Sequence, residues 1–182
     1  NIWRASFATP RPMASLPLAL GTRLETIPSH VPYLSPSQQY VDKWQAKLGP
    51  KMRLRVGIAW SGRITHTKQH ERSIPLDKLL PLADSSVSLV SLQKDVQPQD
   101  REALAAHAEI AHFGGELADF SDTAALLSLM DLVISIDTSV AHLAGAMGKP
   151  VWILLPHVAD WRWLIGREDS PWYPTARLFR QP

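Results

Sequence analysis

Three consecutive polar residues, Asp137-Thr138-Ser139, stand between an apolar run of strand type and the start of a helical pattern. In a parallel α/β sheet, ligands bind at the carboxyl ends of the strands, where the first turn of a helix exposes unpaired N–H groups. Those donors and the helix dipole favour an anion such as a phosphate. His142 lies one turn further along the helix and can face the same ligand. Simple N-capping by the polar residues, and an interior histidine with satisfied hydrogen bonds, are the open alternatives.

A second polar turn, Ser61-Gly62, ends the first run of strand type. Glycine there lets the backbone approach a phosphate closely, although it can equally serve only to form the turn. The loop that follows, residues 63–75, is rich in cations and is solvated in the simplest interpretation. Arg72 or Lys68 is nevertheless a candidate clamp, because a fixed cation offsets the charge of a departing nucleoside diphosphate.

Gln93 and Lys94 follow the second run of strand type. In such sheets the ribose or base of a nucleotide usually rests at this edge. The two side chains are therefore candidates for contact with a nucleoside, and an ordinary solvated surface explains them equally well.

Other kinds of chemistry find less support. His66 and His70 stand four residues apart, but they lack a third ligand, so no metal site is expected. Asp137, Ser139 and His142 are too close in sequence to align as acid, nucleophile and base, and the G-x-S-x-G motif of hydrolases is absent. The chain also lacks the G-x-G-x-x-G motif, which argues against a bound dinucleotide. We expect no cofactor.

The composition restricts the class of protein. The 182 residues are 45% apolar, which suits one globular domain with an appended arm. Nineteen basic and seventeen acidic residues leave a net charge of +2, so nucleic acid is not an expected partner. There is no cysteine, and no apolar run approaches the ~20 residues that a membrane span needs. Because the chain begins at Asn1 without an initiator methionine or a signal-peptide pattern, we expect either a processed chain or a part of a longer protein.

The first fifty residues are predicted to form an arm. They contain seven of the fifteen prolines and show no sustained periodicity before Ser35. From Ser35-Pro36-Ser37-Gln38, which has the pattern of a capping box, apolar residues recur on one face until Gly49-Pro50. This pattern predicts a short amphipathic helix. The expected division is an arm over residues 1–50 and a Rossmann-like domain over residues 51–182.

From Leu54 onward, short β-rich runs alternate with helical segments, which is typical of βαβ units. Strands are predicted at residues 54–60, 87–92, 110–113, 132–136, 151–155 and 176–180. Helices are predicted near residues 76–83, 99–108, 123–130, 140–147 and 161–165. Right-handed crossovers then favour an α/β fold with a doubly wound, mainly parallel six-stranded sheet of order 3-2-1-4-5-6. The first and fourth strands are neighbours in this order, so the turns after them meet at one crevice.

Residues 157–174, directly after the fifth predicted strand, are dense in tryptophan and tyrosine. Packing at the edge of the domain is the first interpretation. A stacking wall for a sugar, or an interface with a second domain, is the alternative.

Several motifs together resemble the carboxyl-terminal domain of bacterial glycosyltransferases linked to tetratricopeptide repeats. The resemblance extends over most of residues 13–181. These glycosyltransferases are similar to the heptosyltransferase family and, more distantly, to O-linked N-acetylglucosamine transferases, and all of them have the two-domain GT-B architecture. The motifs are V-G-I-A-W-S-G at 56–62, R-S-I-P-L at 72–76, S-L-Q-K at 91–94, D-F-S-D-T-A-A-L at 119–126, I-S-I-D-T-S-V-A-H-L-A-G-A at 134–146 and D-W-R-W at 160–163.

The resemblance implies one half of a GT-B fold, in an inverting and metal-independent enzyme that holds a nucleotide-diphospho-sugar in the sheet crevice. Asp137-Thr138-Ser139 and His142 correspond to the heptosyltransferase motif Asp-(Ser/Thr)-Gly-x-x-His, which contacts the donor. Ser139 replaces the usual glycine, so a hydroxyl can join the phosphate contact and the donor is left open. Arg72 lies where the family places a phosphate-binding cation. Together with these residues, Ser61-Gly62 would cradle the diphosphate.

The family's first Rossmann domain supplies the acceptor surface and usually the catalytic base. Here it is missing, apart from a remnant resembling its end at residues 13–22, and no repeats are present. The resemblance therefore implies half of an enzyme, whose partner is the missing acceptor domain or repeats. Such a chain is expected to bind donor without turnover, and no catalytic residue is assigned.

Two other classes of function stay open. A non-catalytic interaction module would dock another protein, or form a homodimer, through the proline-rich arm and the tryptophan-rich tail. An epimerase-like nucleotide-sugar binder would need an acid and a base near the crevice, where His142 is the lone good candidate. For each class we expect a cytoplasmic protein.

Overall fold

The computed structural model describes residues 15–62 and 72–182, which are built around one six-stranded sheet. Every strand pairs in parallel with its neighbours, and the order β3-β2-β1-β4-β5-β6 confirms the predicted topology. The strands are β1 (Leu54–Ala59), β2 (Val87–Ser91), β3 (Ala111–His112), β4 (Leu132–Ile136), β5 (Val151–Leu155) and β6 (Ala176–Arg180). Because β1 pairs with both β2 and β4, the chain changes direction across the sheet at β1, and the turns that leave β1 and β4 lie side by side.

Five α-helices accompany the sheet within the described ranges. They are α1 (Leu16–Ala19), α2 (Gln38–Leu48), α3 (Pro98–Ala106), α4 (Phe120–Ser128) and α5 (Ser139–Ala146). The helix α4 begins three residues before its predicted start. The Asp119 carboxylate explains the earlier start, because it accepts hydrogen bonds from the backbone N–H groups of Ser121 and Asp122 and so caps the helix.

Two predicted α-helices are wrong. The segment 76–83 contains two short 3-10 helices, Leu76–Lys78 and Leu80–Leu82, because Pro81 has no N–H and its ring excludes an α-helical turn before it. The segment 161–165 contains only the 3-10 helix Trp161–Trp163. It ends where Leu164 takes a positive φ of 55°.

The sheet is covered on both faces, which explains why its strands read as nearly continuous apolar runs. One face packs against α2, α4 and α5, with Trp44 and Trp163 fully buried there. The other face packs against α3 and the 3-10 helices of residues 76–82, with Trp60 and Leu76 fully buried.

The helix of the predicted arm shares this core. Trp44 of α2 donates its indole N–H to Asp122 of α4 at 3.0 Å, and Lys43 forms an ion pair with the same carboxylate at 2.6 Å. Before α2, the backbone N–H groups of Tyr33 and Leu34 donate to the carbonyl oxygen of Ala146 at the end of α5. The division at residue 50 and a homodimer through the arm both stay predictions. Across the described residues, no helix has the length and apolar character to cross a bilayer.

Candidate functional site

A cavity of about 930 Å³ opens at the carboxyl ends of β1, β2 and β4. This volume lies within the range of ordinary small-molecule sites. All nine site residues predicted from the sequence line it: Ser61, Gly62, Arg72, Gln93, Lys94, Asp137, Thr138, Ser139 and His142. Since Gly62 and Thr138 border the same cavity, the turns after β1 and β4 do meet. Whether these residues contact a ligand stays a prediction.

Gln93 joins the ends of β1 and β2. Its side-chain carbonyl accepts hydrogen bonds from the backbone N–H groups of Trp60 and Ser61, at 3.2 and 3.3 Å. Its amide nitrogen lies within 3.1 Å of three oxygens, the carbonyl and hydroxyl of Ser61 and the carbonyl of Asp95. Gln93 is only 7% exposed. Its polar atoms are therefore already used in holding the Ser61-Gly62 turn.

Arg72 and Asp137 are neighbours in the lining of the cavity. The Arg72 Nη1 atom lies 3.8 Å from Asp137 Oδ2 and 3.5 Å from the carbonyl oxygen of Asp137. The Asp137 side chain is 8% exposed and that of Arg72 is 31% exposed. Arg72 also lines the cavity, so its guanidinium is within reach of a ligand there.

The first turn of α5 supplies backbone donors. Thr138 is the N-cap residue, and its hydroxyl lies 3.1 Å from the hydroxyl of Ser135 rather than capping the helix. Ala141 N–H and His142 N–H donate to the Thr138 carbonyl. Within the described residues, no acceptor engages the N–H groups of Ser139 and Val140. These two N–H groups can therefore bind an anion.

His142 has both ring nitrogens close to polar groups. Its Nδ1 atom lies 3.1 Å from the hydroxyl of Tyr173, and its Nε2 atom lies 3.7 Å from Asp137 Oδ1. Burial lowers the pKa of His142 below the ordinary 6.5, and the attraction of Asp137 opposes that shift. At neutral pH the imidazole of His142 is therefore mostly neutral and carries a single N–H.

Charges of both signs line the described part of the cavity. The cations are Arg72, Lys94 and Arg162, and the carboxylates are Asp95, Asp119, Asp137 and Asp160. Asp160 accepts from both the backbone and the guanidinium of Arg162, at 3.0 and 2.8 Å. Burial acts to raise the pKa of Asp160, but these hydrogen bonds hold it below its ordinary value. Asp119 caps α4 and Asp137 faces Arg72, so three of the four carboxylates lie beside a donor or a cation.

Sequence reasoning missed part of this lining. Asp119, Phe120 and Thr123, at the start of α4, line the cavity, and so does Arg162 of the 3-10 helix of residues 161–163. The D-W-R-W motif was the available signal for Arg162. The candidates Lys68, His66 and His70 lie outside the described residues. Across residues 15–62 and 72–182, no group of three His, Asp or Glu side chains is placed to hold a metal ion.

The comparison with known sequences gives two findings. A sequence model of Glycosyltransferase family 9 (heptosyltransferase) matches residues 76–154, which include β2, α4, β4 and the first turn of α5. Protein FlbA of Caulobacter vibrioides is 32% identical over 168 residues, covering 85% of this chain and 27% of FlbA.

Three solved glycosyltransferases share the fold. The glycosyl transferase family 9 from Veillonella parvula superposes with a TM-score of 0.61 at 14% identity, over 94% of this chain and 50% of that one. The ADP-heptose lps heptosyltransferase II of E. coli gives 0.58 at 20% identity, over 87% and 48%. The E. coli heptosyltransferase WaaC with ADP gives 0.54 at 17% identity, over 87% and 47%. The chain thus spans about a quarter of FlbA and about half of each solved enzyme.

Proposed function

We propose that this chain is the donor-binding domain of a glycosyltransferase and holds a nucleotide-diphospho-sugar at the carboxyl ends of β1 and β4. The observation that carries the proposal is the convergence of the Ser61-Gly62 turn, Arg72 and the start of α5 on one cavity. The match of residues 76–154 to a heptosyltransferase family supports the same reading.

The diphosphate would rest on the first turn of α5. The N–H groups of Ser139 and Val140 and the Ser139 hydroxyl would donate to it, and the Arg72 guanidinium would neutralise it. The Asp137 carboxylate would repel a phosphate in direct contact. Its distances to Arg72 and His142 favour a role in orienting these two side chains instead.

The nucleoside would lie towards β2. Lys94 lines this side of the cavity and donates to the Ala118 carbonyl at 2.8 Å. Phe120, which is largely exposed, offers an apolar surface there. Gln93 was predicted to meet the nucleoside, but its hydrogen bonds favour an indirect role in which it supports the Ser61-Gly62 turn.

Sugar transfer needs an acceptor oxygen held in line with the anomeric carbon while the nucleoside diphosphate departs. Arg72 would stabilise the leaving group, and the acceptor and its base would come from a further domain, without a metal ion. The large exposed side chains of Val158, Trp161 and Ile165, beside the cavity-lining Asp160 and Arg162, support a covering partner at this edge. We therefore propose that the isolated chain binds donor without turnover, and that the whole protein acts in the cytoplasm.

Calorimetry with ADP, GDP and UDP tests the proposal. We expect one of the three to bind with a Kd of about micromolar to millimolar, the range of transient donors. The same nucleotide should raise the melting temperature of the chain. Absence of both heat and thermal shift for all three nucleotides overturns the proposal.

A non-catalytic interaction module is the second candidate. The exposed Val158, Trp161 and Ile165 stand within one short stretch of the chain and favour it as well, because exposed apolar side chains that gather in a patch mark interaction surfaces. Size-exclusion chromatography with light scattering separates the candidates. A dimer that nucleotides leave unchanged, with no nucleotide heat, supports the interaction module over the donor-binding domain.

A further inference from the structure

The imidazole of His142 is enclosed by two aromatic side chains that arrive from far along the chain. The indole of Trp163 stacks on it with ring centres 5.2 Å apart and planes at 17°. The phenol of Tyr173 meets its edge at 5.8 Å and 61°. Trp163 is fully buried, so the stacked face of the imidazole cannot turn towards solvent.

Gly145 makes the approach of Tyr173 possible. It lies on α5 one turn after His142, and a Cβ atom at this position would lie 2.3 Å from Cγ of the Tyr173 ring. No side chain fits into that space. The phenol therefore lies against the backbone of α5, with its hydroxyl 3.1 Å from His142 Nδ1.

The hydrogen bond between Tyr173 and His142 has two possible directions, and the opposite edge of the ring decides between them. His142 Nε2 faces the Asp137 carboxylate at 3.7 Å, which attracts an N–H and repels a lone pair. With the proton on Nε2, Nδ1 carries the lone pair and accepts from the Tyr173 hydroxyl. Burial and the neighbouring Tyr33 phenol raise the pKa of Tyr173, so this hydroxyl keeps its proton. The other charged groups that act on His142 are Asp160 and Arg162.

The 3.7 Å between His142 Nε2 and Asp137 Oδ1 is too long for a hydrogen bond, so this N–H stays available. We infer that Tyr173 is a positioning residue, whose hydroxyl acts together with the attraction of Asp137 to hold His142 in the Nε2–H tautomer and so keeps that N–H at the cavity as a donor for an anionic ligand. A neutral donor in a fixed orientation loses little entropy when it meets a phosphate oxygen. The identity of the anion as a nucleoside diphosphate rests on the proposed function. The tautomer itself does not.

Nitrogen NMR of ¹⁵N-histidine-labelled chain tests the inference, because protonated and unprotonated ring nitrogens have widely separated shifts. The missing signals in His142→Asn assign the residue. In the parent chain we expect an unprotonated Nδ1 and a protonated Nε2. Tyr173→Phe keeps the ring but removes the hydroxyl, so that Asp137 alone favours the Nε2–H tautomer and the fraction with the proton on Nδ1 should rise. Tyr40→Phe is the matched control, since Tyr40 lies on α2 and its hydroxyl makes no hydrogen bond within the described residues.

Calorimetry with ADP tests the effect of Tyr173 on ligand binding. Tyr173→Phe should weaken ADP binding by about threefold to tenfold, the effect of one net hydrogen bond. A proton on Nδ1 in the parent chain, or an unchanged tautomer in Tyr173→Phe, overturns the inference even if ADP binding weakens. If the parent chain binds none of ADP, GDP and UDP, the proposed function fails, and the NMR result still decides the role of Tyr173.

Discussion

The guanidinium of Arg72 lies over the carboxylate of Asp137, with 3.8 Å between Nη1 and Oδ2. The acceptor is almost fully buried and the donor is about one-third exposed, so the carboxylate is the fixed member of the pair. Asp137 leaves β4 directly, and its position is set by the sheet. Arg72 is thus held beside Asp137, two residues before α5 begins, by a residue that need not touch a ligand itself.

Arg72→Ala is expected to weaken ADP binding about tenfold and adenosine binding little, if ADP is the nucleotide that binds. The physical reason is the loss of a charge-assisted hydrogen bond, worth about 1.5 kcal/mol at a partly exposed site. Calorimetry with both ligands measures the difference. Arg177→Ala is the matched control, because Arg177 lies on β6, pairs with Glu168 and does not line the cavity. Equal losses for ADP and adenosine would remove the clamp role of Arg72.

Gln93→Leu should lower the free energy of unfolding by about 1–3 kcal/mol. The substitution keeps the volume of the side chain but leaves buried N–H and carbonyl groups of Trp60 and Ser61 without partners. Urea unfolding measures the effect. Gln38→Leu, at an exposed position of α2, is the control and should change stability by less than about 0.5 kcal/mol. Similar values for the two variants would mean that Gln93 does not hold the turn.

The strands and their order were predictable because burial on both faces makes each strand an apolar run, and right-handed crossovers leave few orders to consider. The segment 76–83 was not, because its leucines suit an α-helix while Pro81, which lacks an N–H, limits the backbone to two 3-10 turns. The rule that ligands bind where the strand order reverses brought the nine predicted site residues to one cavity.

The roles of those residues were less accessible to sequence reasoning. Gln93 looks like a surface residue in a polar turn, and only its distances to Ser61 show that its amide is used internally. Tyr173 stands 31 residues after His142, so no local pattern links the two. Such pairs depend on how separate segments cross in space, which spacing along the chain does not encode.

Acidification below neutral pH should destabilise the fold through His112 and His142. Burial lowers the pKa of both rings below 6.5 in the folded chain. As the pH falls through about 6.5, these histidines therefore bind protons in the unfolded chain while they stay neutral in the folded chain. The free energy of unfolding then falls as the pH drops below 6.5. Above pH 6.5 both rings are mostly neutral in the folded and in the unfolded chain, so they no longer lower the free energy of unfolding.

Urea unfolding at pH 8, 7, 6 and 5 measures this dependence. In His112→Asn, whose shorter amide can still contact the Ser91 hydroxyl, the decline between pH 7 and 5 should be shallower. A slope equal to that of the parent chain would show that His112 does not resist protonation in the folded state.

Gly145→Ala should destabilise the protein by about 1–3 kcal/mol, although the same change inside an exposed helix stabilises by about 1 kcal/mol. The sign reverses because the new methyl group would lie 2.3 Å from Cγ of Tyr173 and would push the phenol away from α5. Thermal unfolding measures the change, and Gly115→Ala is the matched control because nothing lies within 4 Å of its Cβ position. If Gly145→Ala is as stable as Gly115→Ala, the phenol of Tyr173 does not pack on α5, and its hydrogen bond to His142 loses its structural basis.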